Sequence, residues 1–449
     1  MRRLTGTIKK QVQNRCIGGV RWCAAIIAGK PAGCLIRRVC TPLSRITSLL
    51  AILLSVLPAG VQGKEASPTG IAVFNMAWAG TVDDFKRHVE VCGTPEVDWC
   101  DSRVKMPRGA LNAVPEEEER AKRCQEATAA AAGSPDAAMM IAPCNAYGRR
   151  RNPGRVETAE NYNIKLSGLR ATVENLIRNK KIRVIAFQEV KSQEVLEYVL
   201  GQFAEQFNVC VAPHTTFQTV AFAWDKTIPS GVYGCEPNPA LAITEQPEDE
   251  SLARRVRPGL ALELVINGSP VTFLNIHLKS GCANVKTAGG FPGHKLTDLA
   301  PACAVLNRQI PLLEDWIDRV VKESPRFVLL GDFNRRIDEE AKAHVSKTEV
   351  RTDGIDPAEP NTKDEQGRVK SSYLWQEIAD GSPSMHQVPL TSTQRGCTGF
   401  KGLDHIVISD PIKLAQAGAL RSRKIAVVKK NRQSIPTSDH CPRITVLEL

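Results

Sequence analysis

The chain has 449 residues, with 59 Lys or Arg against 48 Asp or Glu, 14 cysteines and only 5% aromatics. That length accommodates two or three average domains or one large α/β sandwich. Ten of the basic residues and no acid fall in residues 1–63, so the remainder carries 49 basic against 48 acidic residues. Global charge therefore gives no support for a nucleic-acid partner and leaves only a local basic stripe as an option.

The basic leader ends in an apolar run, Ile46 to Leu57, followed by Pro58-Ala59-Gly60-Val61-Gln62-Gly63, where Val61 and Gly63 suit a signal-peptidase site. Even extended to Val61 the run has 16 residues, short of the roughly 20 that a spanning helix needs. The expectation is a signal peptide over 1–63 with an unusually long leader, and a chain of 64–449 exported to the periplasm or beyond. An uncleaved N-terminal anchor is the alternative. Ten cysteines follow the leader: Cys92, Cys100, Cys124, Cys144, Cys210, Cys235, Cys282, Cys303, Cys397 and Cys441. An even count in an exported chain favours disulfides, and without a Cys-x-x-Cys pair neither a structural zinc site nor a thioredoxin-type motif is expected. Cys210–Cys235 and Cys282–Cys303 are the closest natural pairs, while the first four close among themselves.

In chain order, Gly70 to Asn75 reads as a short buried strand ending on a polar side chain. Residues of about 82–158 differ in kind, with a charge run at Glu116 to Arg120 and small residues from Ala127 to Ala132. They read as an inserted, partly helical subdomain cross-linked by its cysteines, or as a solvated loop. Leu169, Val173, Leu176 and Ile177 recur at helical spacing within Asn163 to Lys180. A strand, Ile182 to Phe187, then runs into Gln188-Glu189, and a second helical stretch spans Val190 to Phe203. Strands follow at Val209 to Ala212, Val220 to Trp224, Leu260 to Ile266 and Val271 to His277, the last two joined by Asn267-Gly268-Ser269, a hairpin signal. A helix from Ala302 to Lys322 leads to Phe327 to Asp332. Polar linker sequence runs from about Val350 to Lys370, and the last strands are Leu403 to Ser409, Lys424 to Val428 and Arg443 to Leu449. Alternating helices and hairpins favour two packed mixed β-sheets flanked by helices, a four-layer α/β sandwich.

Five apolar strands end or begin on carboxylate, amide or imidazole groups: Asn75, Gln188-Glu189, His277, Asp332-Phe333-Asn334 and Asp404-His405. A sixth cluster, Ser438-Asp439-His440, opens the last strand. One such end is an ordinary turn or helix cap; six together point to a shared crevice. Oxygen donors with no free-thiol motif suit a hard cation such as Mg²⁺. Hydrolysis of a phosphodiester needs such an ion, or neutral and cationic donors, on the phosphate oxygens, together with a base for water.

The strings Phe187-Gln188-Glu189-Val190, Asn275-Ile276-His277-Leu278, Leu330-Gly331-Asp332-Phe333-Asn334, Leu403-Asp404-His405-Ile406-Val407 and Ser438-Asp439-His440-Cys441-Pro442 resemble, in order, the motifs of the endonuclease/exonuclease/phosphatase superfamily. This deoxyribonuclease I-like resemblance, to a secreted bacterial-type member, runs from about residue 70 to 449. It implies metal positions at Glu189, Asn75 and Asp439, with Glu189 the principal ligand, and Mg²⁺ as the ion, Mn²⁺ or Ca²⁺ being alternatives. It further implies that His277 contacts phosphate, Asp332 positions or deprotonates water, Asn334 holds a phosphate oxygen, and Asp404 assists phosphate or leaving group. Asp439 would orient His440. Two departures stand out: Ala77 occupies a position where many members have a second Asn, and Asn75 is unusually far from Glu189. Lys279, Ser280, Arg335, Arg336, Arg395 and Lys401 are candidate phosphate contacts, with solvated basic residues as the plain alternative, and His405 is expected to be structural. The implied function is a monomeric, exported, metal-dependent phosphodiesterase acting on DNA or RNA. A sphingomyelinase-like or inositol-phosphate phosphoesterase is the second reading, and a catalytically idle scaffold the third.

Overall fold

A computed structural model describes residues 68–105, 114–148, 157–245, 255–285, 296, 301–342, 374–379, 384–397 and 402–449. The leader, Lys401 and the expected linker lie outside the described residues. Strand β1 (Thr69–Ala79) is followed by helices α1 (Val82–Cys92), α2 (Pro115–Ala132), α3 (Pro135–Met139) and α4 (Ala159–Lys180). Local chemistry sets these boundaries. Thr81 and Asp84 close a capping box on α1, and α2 starts at Pro115, carries Glu116 to Glu118 in its first turn and stops at Gly133 with φ +96°. Its alanines have the best helix propensity available.

The chain continues through β2 (Ile182–Val190), α5 (Gln193–Leu200), β3 (Phe207–Val211), β4 (Thr219–Asp225), β5 (Ser230–Asn238), β6 (Gly259–Ile266) and β7 (Ser269–His277). Then come α6 (Pro301–Glu323), β8 (Phe327–Asp332), α7 (Ile337–Glu340), α8 (Leu374–Ile378), β9 (Met385–Gln387) and β10 (Leu390–Thr393). The last elements are β11 (Asp404–Ser409), α9 (Asp410–Ala415), β12 (Ser422–Lys424) and β13 (Arg443–Leu447). The β6–β7 turn places Asn267 at φ +51° and Gly268 at φ +80°, the left-handed pair that an Asn-Gly hairpin requires. The helix expected from Val190 begins three residues later, because Val190 still pairs with Thr219 of β4. Strands β5, β9 and β10 lack a continuous apolar run; β5 is an edge strand interrupted by Gly234 and Pro237.

Two mixed sheets result, in the strand orders β10-β12-β13-β1-β2-β4-β3 and β5-β6-β7-β8-β11-β9. Three cores separate four layers. Ile71, Val73, Val184, Ala186, Phe222, Phe273, Val328, Leu330 and Ile406 fill the space between the sheets. Ala72, Phe74, Ile185 and Phe187 pack under Leu166, Leu169, Val173 and Leu176 of α4. Leu274, Ile276, Phe327 and Leu329 pack under Leu306, Ile310 and Leu313 of α6. This is the α/β sandwich expected from the sequence. Among the described residues no helix is long and apolar enough to cross a membrane.

Among the described residues five disulfides join Cys92–Cys144, Cys100–Cys124, Cys210–Cys235, Cys282–Cys303 and Cys397–Cys441. The first two cross-link the stretch from α1 to Cys144, and Phe85 and His88 of α1 with Tyr147 beyond it form an aromatic cluster against Trp78 of β1 and Tyr162 of α4.

Candidate active site at the strand ends

Side chains on a strand alternate between faces, and this rule aims the polar ends. On β1 the series Ile71, Val73 faces the inter-sheet core, so Asn75 does too. Phe273 puts Asn275 and His277 of β7 on that face, Val328 and Leu330 do the same for Asp332 of β8, and Ile406 and Ile408 for Asp404 of β11. Register brings the ends together: His277 lies beside Asp332 in the parallel β7–β8 pair, and Asp404 opposite Asp332 in the antiparallel β8–β11 pair. Glu189 is the exception, since alternation would send it to the helix face with Phe187. A bulge between Gln188 and Val190, with Glu189 at φ +61°, turns its carboxylate back toward Asn75.

The Asn75 side-chain amide donates to Glu189 Oε1 at 3.1 Å and to Asp332 Oδ2 at 3.0 Å. Glu189 Oε2 accepts from the backbone N–H of Trp78 at 2.8 Å, at a turn where Ala77 and Trp78 both adopt positive φ, +52° and +54°. The small Ala77 donates its N–H to Asn75 Oδ1 at 2.9 Å, fixing the amide orientation. Four left-handed non-glycine residues, Ala77, Trp78, Glu189 and Asn334, converge here, the clustering that functional sites characteristically show. His277 Nε2 lies 3.7 Å from Glu189 Oε1 and 3.6 Å from Asp332 Oδ2. Asn334 donates its N–H to Asp332 Oδ1 at 2.8 Å and its amide to the Leu278 carbonyl at 2.9 Å.

His440 Nδ1 is 2.8 Å from Asp404 Oδ1, and Nε2 is 3.8 Å from Asp332 Oδ2. The carboxylate that orients this imidazole is therefore Asp404, which strand register delivers from β11. The expectation that Asp439 does so is corrected: Asp439 is exposed. Asp404 is completed by Lys424 Nζ at 2.7 Å on Oδ2 and by Arg443, which donates to the Asp404 backbone carbonyl at 2.6 Å. Cys441, next to His440, is disulfide-bonded to Cys397.

Charge follows from these contacts. Burial pushes Asp404 up, but the His440 and Lys424 charges outweigh it and hold the carboxyl well below the usual range. Burial lowers His440, yet Asp404 and Asp332 more than compensate and raise it, so the ring is held as an imidazolium. Burial raises Asp332 against the pull of His440. Burial, the Arg257 guanidinium and His440 push His277 well below the ordinary imidazole value, keeping it neutral. Two histidines a few ångströms from one carboxylate thus shift in opposite directions, because only His440 is hydrogen-bonded to a carboxylate while His277 faces the Arg257 and His440 charges.

Asp332, Asp404 and His440 offer ligand atoms within 4.8 Å of one another. The 2.8 Å bond between His440 and Asp404 commits those two atoms to sharing a proton. A hard cation fits the other side of the cluster better, where Glu189 keeps 24% of its side chain exposed and Asp439 is exposed. Those donors are oxygens, the chemistry Mg²⁺ takes.

The basic candidates separate. Arg335 is wholly buried, with Nε 2.5 Å from Glu340 Oε1 and Nη1 donating to the Cys282 carbonyl at 2.7 Å. It is a structural cation rather than a phosphate contact, because the turn after Asn334 folds it inward. Arg335→Met leaves Glu340 buried without its charge partner and is expected to cost about 3–5 kcal/mol of stability in thermal melts, with KM unchanged while the protein is folded. Lys279 bonds Glu245 Oε1 at 2.9 Å, Arg336 bonds Glu339 at 3.1 Å, and Ser280 and Arg395 are exposed. His405 is buried with Nε2 on the Gly402 and Arg335 carbonyls, the structural place expected of it. Sequence reasoning missed Arg257, buried with Glu189 and Asp332 among the charges acting on it, and the buried bases Lys165, Lys424 and Arg443.

No family model matches the chain, and no curated protein sequence matches it. Similar solved structures include an endonuclease/exonuclease/phosphatase family protein from Bacteroides thetaiotaomicron, at 9% identity and TM-score 0.41, covering 85% of this chain and 95% of that one. Another is the endonuclease/exonuclease/phosphatase from Bacteroides vulgatus, at 10% identity and TM-score 0.40, covering 85% and 99%. A third is truncated TDP2 from Caenorhabditis elegans, at 14% identity and TM-score 0.37, covering 64% and 92%.

Proposed function

We propose that the chain is a divalent-metal-dependent phosphodiesterase of the endonuclease/exonuclease/phosphatase superfamily, exported, and acting on DNA or RNA. The observation that carries this reading is the connected chain Glu189–Asn75–Asp332–His440–Asp404, with His277 against its centre. Glu189, with Asp439 and Asn75, would hold Mg²⁺, or Mn²⁺ in its place. When bound, such an ion neutralises phosphate charge and polarises the scissile bond.

The protein's own groups divide the remaining work. His440, kept charged by Asp404 and Asp332, supports the negative charge that grows on the phosphoryl oxygens, the preorganised electrostatic role that contributes most in a water-poor site. Asp332, raised by burial and already bonded by Asn75 and the Asn334 N–H, orients the attacking water and holds its proton. Neutral His277 offers a second nitrogen on the phosphate side, and Asn334 keeps Asp332 at its angle. Asp404 acts through His440 by fixing its tautomer and charge.

Export is supported by the five disulfides, which form in oxidising compartments. The lipid reading gains little: Val232 and Tyr233 are exposed, but they lie toward the Ser230–Leu264 end of the β5–β6 pair, whereas Leu260 pairs with Asn275 near the site. The deciding experiment assays purified 64–449 on plasmid DNA, RNA, sphingomyelin and inositol phosphates, with Mg²⁺ or with EDTA. Metal-dependent cleavage of a nucleic acid is expected. Folded protein that releases product from none of the four overturns the enzymatic reading, and hydrolysis of sphingomyelin alone overturns the nuclease reading.

A further inference from the structure

Lys165, on α4, is 1% exposed, and the reaction outlined above leaves it unused. Its Nζ donates to the Met76 carbonyl at 2.8 Å, the Ala77 carbonyl at 3.0 Å and the Thr437 carbonyl at 2.9 Å. An ammonium has three donors, and all three are spent on backbone from two distant stretches of chain. The first stretch is the strained turn at Ala77 and Trp78, whose Trp78 N–H holds Glu189. The second leads into Ser438-Asp439-His440, where the Ser438 hydroxyl donates to the Asn75 carbonyl at 2.8 Å and accepts the His440 N–H at 2.9 Å. One helical turn earlier, the Tyr162 hydroxyl exchanges hydrogen bonds with both backbone groups of Gly80 at 2.9 Å. α4 therefore grips β1 on both sides of Trp78. Burial lowers the Lys165 ammonium to about 8 while the Asp439 and Glu189 carboxylates pull it up, so both carboxylates lie within its field without spending a hydrogen bond on it.

We propose that Lys165 is a positioning residue that ties the turn presenting Glu189 to the loop presenting Asp439 and His440, so that the ion-binding carboxylates and the imidazole share one geometry. The inference rests on the metal-dependent reading of this site. A bystander cation near two carboxylates weakens binding of a divalent ion, so removing its charge alone tightens that binding. A positioning cation does the opposite: without it three buried carbonyls lose their donor and the ligands separate.

The experiment measures Mn²⁺ binding calorimetrically on metal-stripped wild type and Lys165→Met, with kcat and KM determined on whichever substrate the wild type cleaves. Weaker Mn²⁺ binding by about 10–100-fold, the usual effect of losing an outer support, and a similar fall in kcat with KM nearly unchanged are expected. Binding that is unchanged or tighter overturns the proposal. If Lys165→Met fails to melt cooperatively, Lys165→Gln, which keeps two amide donors, is measured in its place, and the same signs decide. Wild type that binds Mn²⁺ but cleaves no phosphodiester refutes the hydrolytic reading while the Mn²⁺ comparison still judges Lys165. Wild type that binds no Mn²⁺ removes both.

Discussion

Glu189→Gln is expected to abolish measurable Mn²⁺ binding and to lower turnover by about 10³-fold, the order seen when an electrostatic group is removed from a preorganised site. The substitution keeps the shape and removes only the charge and one acceptor. In the native site Oε1 takes the Asn75 amide and Oε2 takes the Trp78 N–H; a glutamine has a single acceptor for these two donors. Asn75 still holds Asp332, so the strand ends stay in register and the loss of stability is small, about 1 kcal/mol for one hydrogen bond. Metal-stripped variant titrated by calorimetry and assayed at saturating Mg²⁺ checks both parts. Unchanged ion binding would move the metal away from Glu189.

The second large effect belongs to His440→Gln. Turnover is expected to fall by about 10²–10⁴-fold, and the pH dependence of stability changes with it. Because the folded imidazole is raised by Asp404 and Asp332, the stability it contributes is fully present below the unfolded value of about 6.5 and is lost as pH rises toward the folded value. Metal-free wild type should therefore lose stability from this group as pH rises above about 7, on the order of 1 kcal/mol per pH unit. The variant lacks that slope. Asp404 has the opposite linkage: its depressed carboxyl contributes stability above about pH 4, lost only as pH falls toward its folded value. Chemical unfolding in EDTA at several pH values reads the difference, and parallel profiles for wild type and variant would remove the charged imidazole from the account.

The legible part of this protein was its strand ends. Asp332, His277 and Asp404 continue apolar series whose alternation already states which face they share, and the two-sheet sandwich follows from the same runs. Glu189 was legible as a residue but not as a direction, because a bulge reverses it. Adjacency in the sequence points His440 to its neighbour Asp439, whereas the bond is made to Asp404 across 36 positions; only the placement of β11 and β13 supplies that. Arg335 resembled a surface base beside the site until Glu340, five residues on, drew it inward. Lys165 left a usable signal: it lies on the same α4 stripe as Tyr162, Leu166, Leu169 and Val173, and a lysine on an apolar helical face needs internal acceptors. Short β9 and β10 had no apolar run to announce them.

The pairing of β1 with β13 joins the first and last strands of the described residues beside the candidate site. Asn75 and Ser438 meet across 363 positions, and β13 supplies the edge against which β1 closes. Contacts of such sequence separation form late, since the loop entropy is lost before they reward it. Strands β1, β2 and β6–β8, which supply two of the seven strands of one sheet and three of the six of the other, precede β13 in the chain, so they can pair while His440 is still missing. A chain cut before Ser438 lacks both the Ser438–Asn75 and the His440–Asp404 bonds, so on the proposed reading it is expected to lose hydrolysis even where its earlier strands still pair.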